Sequence, residues 1–316
     1  MDNLFEFKPE DLRNLPTFRA AYSDRTALLM GRLAKRAYEM FEEIASREKL
    51  ENEFGKLGLK NFTPLVWKET GTAGFVAASS DIIVVVFRGT EDDLDWQTNL
   101  RIEFVELQGG TKVHTGFFQA YFPIQKALFE AVEKLIKDKE RPVYLTGHSL
   151  GGALAAMATA ELANHEQPKV RDAIAACYTF GAPRIGDGSF DMYVKPPLYR
   201  VLNGYDPVPF VPFLFLGYRN VGDTRYFGKQ GTAPARYSLS VLRRIWGFVA
   251  GVLSYFSTMK IVALQDHQMK GYVGKMLAWA DKNIVETEKR RDDTTGGEMA
   301  DGYDWRGAAD EARQLR

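Results

Sequence analysis

Residues 142–160 read PVYLTGHSLGGALAAMATA, and this stretch decides the fold. A short apolar run, Val143 to Thr146, meets a serine framed by glycines, and small residues from Ala153 to Ala158 follow. A β-prone run, a turn and an alanine-rich run together give strand, turn and helix. Gly147, Ser149 and Gly151 form G-x-S-x-G, the pattern of a nucleophile elbow, where the turn is tight enough to project the serine hydroxyl from the top of a sheet. A side chain at Gly147 or Gly151 would collide where the strand folds back against the helix. With 28 glycines and 10 serines in 316 residues, the pentapeptide arises by chance in roughly one chain in ten. The flanking strand and helix are therefore what give it weight.

Working outward, the chain is 45% hydrophobic and 26% charged, enough to bury a large core as one big domain or two small ones. Its formal net charge is zero, so no basic field points to nucleic acid and no excess favours an anionic surface. Cys177 is the only cysteine, which excludes an intrachain disulfide and a cysteine-rich metal site. Within AACYTF it reads as a buried strand residue, since no basic neighbour in the local sequence would activate it. The start, MDNLFEFKPEDLRNL, lacks the basic region and apolar core of a secretory signal. The expected setting is cytoplasmic, with peripheral lipid contact allowed.

From residue 24 to 45 the apolar side chains Ala27, Met30, Ala34, Ala37, Phe41 and Ile44 are spaced 3, 4, 3, 4 and 3. That is an amphipathic helix capped by Ser23 or Asp24. Strands are expected over Thr63 to Lys68, Ala73 to Ala78 and Asp81 to Arg88, the last with an unbroken apolar run that predicts burial on both faces of a helix-covered sheet. Arg101 to Leu107 alternates as a strand does. Helical spacing returns from Phe118 to Ile136 and leads into the elbow strand, giving a strand-helix-strand unit. Ala173 to Phe180 and Pro197 to Asn203 complete the expected core strands, and a helix is expected from about His267 to Asn283. No internal repeat is visible.

Serine is a poor nucleophile until a general base takes its proton, so Ser149 calls for a histidine and an orienting carboxylate. Hydrolases built on such an elbow place them in the order Ser, Asp or Glu, His. Of four histidines, His114 and His148 precede the serine, and His165 lies at the far end of the elbow helix. His267 remains as the base. Of the aspartates between the elbow helix and the base, Asp206 follows an expected strand end, where active-site loops of open α/β sheets gather. Asp266 adjoins the histidine too closely to meet its imidazole, and Asp187 in GAPRIGD reads as a turn former. An oxyanion hole needs two donors. The N–H of Leu150, just after the nucleophile, supplies one; Thr90, in the FRGT exit from the most apolar strand, supplies the other, with Gly89 permitting close approach of backbone to substrate.

At this point the chain resembles the class 3 lipases, through FRGT at 87–90, DWQTNL at 95–100, VHTGF at 113–117, TGHSLGGALA at 146–155, TFGAPRIGD at 179–187, RVLNGYDPVP at 200–209 and DHQMKGY at 266–272. The resemblance implies an α/β-hydrolase fold, a mostly parallel central sheet flanked by helices with its nucleophile elbow at 147–151, in a single domain over 1–285. It matches Ser149, Asp206 and His267 to the family's triad, and Thr90 and Leu150 to its oxyanion donors. It implies cleavage of lipid carboxylic esters, acylglycerols above all, at a lipid-water interface, with no metal and no organic cofactor. A short-chain carboxylesterase or phospholipase A1 would use the same residues, and a non-catalytic lipid-binding protein on a retained hydrolase fold is the alternative of a different class.

Two departures stand out. Fungal members carry an apolar lid helix after the oxyanion residue, and secreted ones carry disulfides; here the lid position reads EDDLDW, and disulfides cannot form. Instead VLRRIWGFVAGVLSYF at 241–256 offers a buried core helix, a cap lining an acyl pocket, or an interfacial lid. It is too short to span a bilayer. PFVPFLFLG at 209–217 adds apolar surface beside Asp206, with core packing as the competing reading. Residues 286–316 read as a charged, flexible tail.

Overall fold

The computed structural model describes residues 5–6, 9–13, 15, 21–41, 44–90, 103–228, 233–236 and 265–280. The DWQTNL block, the apolar stretch at 241–256 and the tail at 286–316 lie outside the described residues. Helix α1 (Asp24–Met40) is capped by Ser23, whose hydroxyl accepts from Thr26 N, as expected of a serine before an amphipathic run. It ends at Met40, earlier than the spacing suggests. After α2 (Ile44–Lys56) come β1 (Lys60–Trp67), β2 (Thr72–Ala78) and β3 (Ile83–Phe87).

The apolar run in β3 is a strand buried on both faces. Ile83, Val85 and Phe87 join one hydrophobic core and Val84 and Val86 the other, the period-two alternation of a pleated strand. Each such side chain contributes about 1.5–3 kcal/mol by leaving water. Next, β4 (Phe104–Glu106) pairs antiparallel with β5 (Lys112–His114) in a separate ribbon. The strand expected over 101–107 thus forms only in part among the described residues, and outside the main sheet. Helix α3 (Thr115–Asp138) then leads to β6 (Val143–His148) and α4 (Leu150–Ala163). The chain continues through α5 (Pro168–Ala173), β7 (Ile174–Phe180), α6 (Gly188–Tyr193), β8 (Leu198–Asn203), β9 (Asp223–Phe227), β10 (Ala235–Arg236) and a last helix, α7, over 269–280.

The main sheet has eight strands in the order β1-β2-β3-β6-β7-β8-β9-β10. Pairing is parallel from β3 through β9 and antiparallel at both margins. This is the mixed, mostly parallel sheet of an α/β-hydrolase fold. Strands β9 and β10 were not legible in sequence, because β9 reads DTRYF and sits half exposed near the sheet margin. One face is covered by α3 and α4 and the other by α1, α2 and α7. Register aligns the strand ends: Phe87 pairs with Gly147, His148 with Phe180, Phe180 with Val201 and Asn203 with Phe227. The loops carrying Thr90, Ser149, Gly181 and Asp206 therefore leave the sheet at one edge, where ligands bind in open α/β sheets.

Cys177 is buried in β7, as expected, and burial pushes its thiol up to about 12. It packs as a small hydrophobe.

Candidate active site

Ser149 sits between β6 and α4 with φ 54° and ψ −128°. A non-glycine residue pays for that conformation. Two features hold it there: its N–H donates to Phe180 O (2.9 Å), and Gly152 N donates to its carbonyl (3.0 Å). The glycines have the steric role the motif suggests. A methyl on Gly147 would overlap the main chain of Gly151, and one on Gly151 would lie 2.5 Å from Phe87 O. The Ser149 hydroxyl is buried and has no hydrogen-bond partner among the described residues. Leu150 opens α4, and the first N–H groups of a helix have no intrahelical acceptor. The Thr90 hydroxyl is also buried without a partner among the described residues.

Asp206 follows β8 and is buried. Its Oδ1 accepts from Val208 N (2.9 Å), and its Oδ2 faces His267 Nδ1 at 2.8 Å. A carboxylate can only accept, so Nδ1 carries the proton of the neutral imidazole and Nε2 holds the lone pair. A base with its lone pair at Nε2 and its ring fixed from behind is the arrangement a serine nucleophile requires. Gly181 makes room for the pair: a methyl there would lie 2.7 Å from Asp206 Oδ2 and 3.1 Å from His267 Cε1. Because Gly181 follows Phe180, whose carbonyl receives the Ser149 N–H, serine, carboxylate and imidazole gather around one β7 exit.

The other histidines are engaged elsewhere. His165 lies at the end of α4, 3.0 Å from Glu133 Oε1. His114 caps α3, its Nδ1 accepting from Gly116 N and Phe117 N, and burial lowers its pKa to about 4. Asp187 caps α6 by accepting from Ser189 N. Asp266 does not meet the imidazole; its carboxylate accepts from Tyr205 N at 2.8 Å and so braces the loop that carries Asp206.

Three partners escaped the sequence reading. Tyr272 on α7 donates its hydroxyl to Asp206 Oδ2; burial, then the charge of Asp206, raises its pKa well above 10, so it stays a donor. Asn203 Nδ2 donates to Asp266 O (2.7 Å), and His148 Nε2 to His267 O (2.7 Å). Tyr272 lay within DHQMKGY, but nothing local says that a tyrosine five residues past His267 reaches back to a distant carboxylate. Gly89 is also read differently. A methyl there would overlap the Tyr38 hydroxyl and lie 2.7 Å from His148 O, so the close approach that it permits is to the protein's own groups.

The apolar stretch 209–217 is neither wholly core nor wholly surface. Pro209 and Pro212 are buried, while Phe213 and Phe215 stack at 5.4 Å and Phe215 is 76% exposed. Arg184 and Arg200 hold this segment by donating to the carbonyls of Pro212 (2.8 Å) and Pro209 (3.1 Å). Among the described residues no helix is long and apolar enough to cross a membrane.

Residues 84–216 match the family described as Lipase (class 3). The chain is 32% identical over 189 residues to a secreted mono- and diacylglycerol lipase 1 of Fusarium solani, covering 57% of this chain and 54% of that protein. It is 33% identical over 173 residues to a lipase of Rhizomucor miehei, covering 52% and 47%. The chain thus spans about half the length of the curated relatives it matches. The crystallographic fold of the Rhizomucor miehei triacylglyceride lipase superposes with a TM-score of 0.63 at 24% identity, over 82% of this chain and 98% of that one. The cytoplasmic expectation is overturned, since the Fusarium solani relative and others from Malassezia globosa are named as secreted. Cysteine count misled because a fold with two large apolar layers needs no disulfide to be stable, so a lone buried thiol says nothing about compartment. The matched segment, the sheet order and the elbow at one sheet edge together show a class 3 lipase segment at residues 84–216, carried on an α/β-hydrolase fold.

Proposed function

We propose that this protein hydrolyses carboxylic esters of lipids through an acyl-enzyme, with Ser149 as nucleophile, His267 as base and Asp206 as the carboxylate that orients it. The observation that carries the reading is the buried Asp206–His267 pair at 2.8 Å, gathered with the elbow serine at one β7 exit. Ser149 Oγ bonds to the ester carbonyl carbon while its proton passes to His267 Nε2. The N–H groups of Thr90 and Leu150 receive the oxyanion. As the tetrahedral species collapses, the bond to the alcohol breaks and the alcohol leaves with the proton from His267. Water, deprotonated by the same nitrogen, releases the acid and restores the serine.

The lipid character of the ester is supported by the class 3 lipase match over 84–216, by the name of the Fusarium solani relative and by the exposed Phe215 in the apolar segment that follows Asp206 in the chain. The substrate is taken at a lipid-water interface. The test has two arms. Ser149→Ala should lower kcat by about 10⁴-fold or more and abolish labelling by a fluorophosphonate probe; full residual turnover would end the triad assignment. Rates on an acyl-chain series, below and above each ester's aggregation threshold, should jump at the threshold. A preference for short monomeric esters would instead indicate a carboxylesterase.

A further inference from the structure

His148, the residue before the elbow serine, is held at both ring nitrogens. Its Nε2 lies 2.7 Å from the carbonyl oxygen of His267, and its Nδ1 lies 2.7 Å from the Tyr38 hydroxyl on α1. A carbonyl only accepts, so Nε2 carries the proton of the neutral ring. Nδ1 is then a lone pair, and Tyr38 is the donor to it. The hydroxyl thereby selects the one tautomer of His148 that can bind the carbonyl of His267.

We infer that Tyr38 is a positioning residue for the reaction, acting through His148 on the main chain of His267; the inference rests on the ester-hydrolase reading above. The backbone of the base is fastened at two successive peptide units. Asn203, at the end of β8, holds the carbonyl of Asp266, and His148, at the end of β6, holds that of His267. Releasing the second leaves the imidazole tied to Asp206 but free to pivot about that bond, which shifts the reach of Nε2 toward the serine. Sub-ångström placement matters here, because misplacing a reacting group by about 1 Å can cost roughly 10²-fold in rate. The same hydroxyl occupies the space that a methyl on Gly89 would take. Gly89 directly precedes Thr90, so Tyr38 packs against the strand exit of one oxyanion donor while it sets the carbonyl of the base. One side chain of α1 thus touches both halves of the site, and Gly89 leaves room for the Tyr38 hydroxyl and the His148 carbonyl.

Tyr38→Phe keeps the ring and removes the donor. On a soluble p-nitrophenyl ester, kcat should fall roughly 10- to 100-fold with KM little changed. Two-bond ¹⁵N NMR should show His148 as a pure Nε2–H tautomer in the parent and as a mixture in the variant, a readout that general loosening of the fold does not produce. Glutamine at 148 has a fixed amide donor and needs no tautomer selection, so in the His148→Gln background Tyr38→Phe should cost little. Unchanged kcat with His148 still purely Nε2–H, or losses that simply add in the double variant, would overturn the inference. If the parent itself turns over no ester, it is the hydrolase reading that fails, and the tautomer spectrum still reports on the Tyr38 bond.

Discussion

Ser149 is where local strain and chemistry meet. Its φ of 54° is a conformation that side chains rarely adopt, costing on the order of 1–3 kcal/mol, and it is imposed by the β6–α4 turn. Comparing two variants that both lack the hydroxyl isolates this cost. Glycine relieves the strain but adds roughly 0.5–1 kcal/mol of unfolded-chain entropy. We expect Ser149→Gly to be more stable than Ser149→Ala by about 1 kcal/mol, read as a higher urea midpoint at an unchanged m-value. An equal or lower midpoint would mean that the elbow serine is unstrained. Both variants should be catalytically dead, so the stability difference between them is read with no difference in activity.

At the scale of the element, α3 depends on a histidine as its cap. His114 Nδ1 accepts from Gly116 N (3.1 Å) and Phe117 N (3.3 Å), and a protonated ring could not accept at that nitrogen. Burial lowers its pKa from 6.5 to about 4. Below pH 6.5 the unfolded chain therefore binds a proton that the folded chain refuses. The contribution of this group to stability is whole above pH 6.5 and is lost as the pH falls toward 4, up to about 3 kcal/mol. Asparagine also caps helices but does not titrate. Urea unfolding of His114→Asn between pH 4 and 7 should show a shallower loss of stability on acidification than the parent. Parallel curves would show that the cap does not titrate in this range.

For the whole molecule, the face of the sheet under α1 and α7 is also the face that supplies the site's supports. Tyr38 comes from α1 and Tyr272 from α7, with His267 just before α7 begins. The two helices close on each other at Gly31, where a methyl would lie 2.9 Å from Met276 Cε and 3.3 Å from Phe180 Cζ. Trp279 Nε1 donates to Asp24 Oδ2 at 2.9 Å and ties them further. Gly31→Val overpacks this contact at a cost of about 1–3 kcal/mol. We expect a lower melting temperature together with a drop in kcat on a soluble ester, because wedging the helices apart moves Tyr38 and Tyr272 relative to the proposed triad of Ser149, Asp206 and His267. A stability loss with kcat untouched would show that the site is insulated from this packing.

The amino-acid sequence by itself determined the elbow, because its glycines and serine act within five residues, and it singled out His267 as the partner of Asp206, because the order of residues along the chain leaves one histidine. The buried strands were legible for a similar reason: a run such as IVVVF in β3 has only one environment that suits it. Asp206 could be chosen among several aspartates from its place after a strand. What the sequence did not carry were contacts across the chain. Tyr38 meets His148 across 110 positions, His148 meets His267 across 119, and Tyr272 meets Asp206 across 66. These pairs, and the true reason for Gly89, were decided only by tertiary structure, because strand register and helix docking set which distant atoms share a few ångströms, and no local pattern encodes that distance.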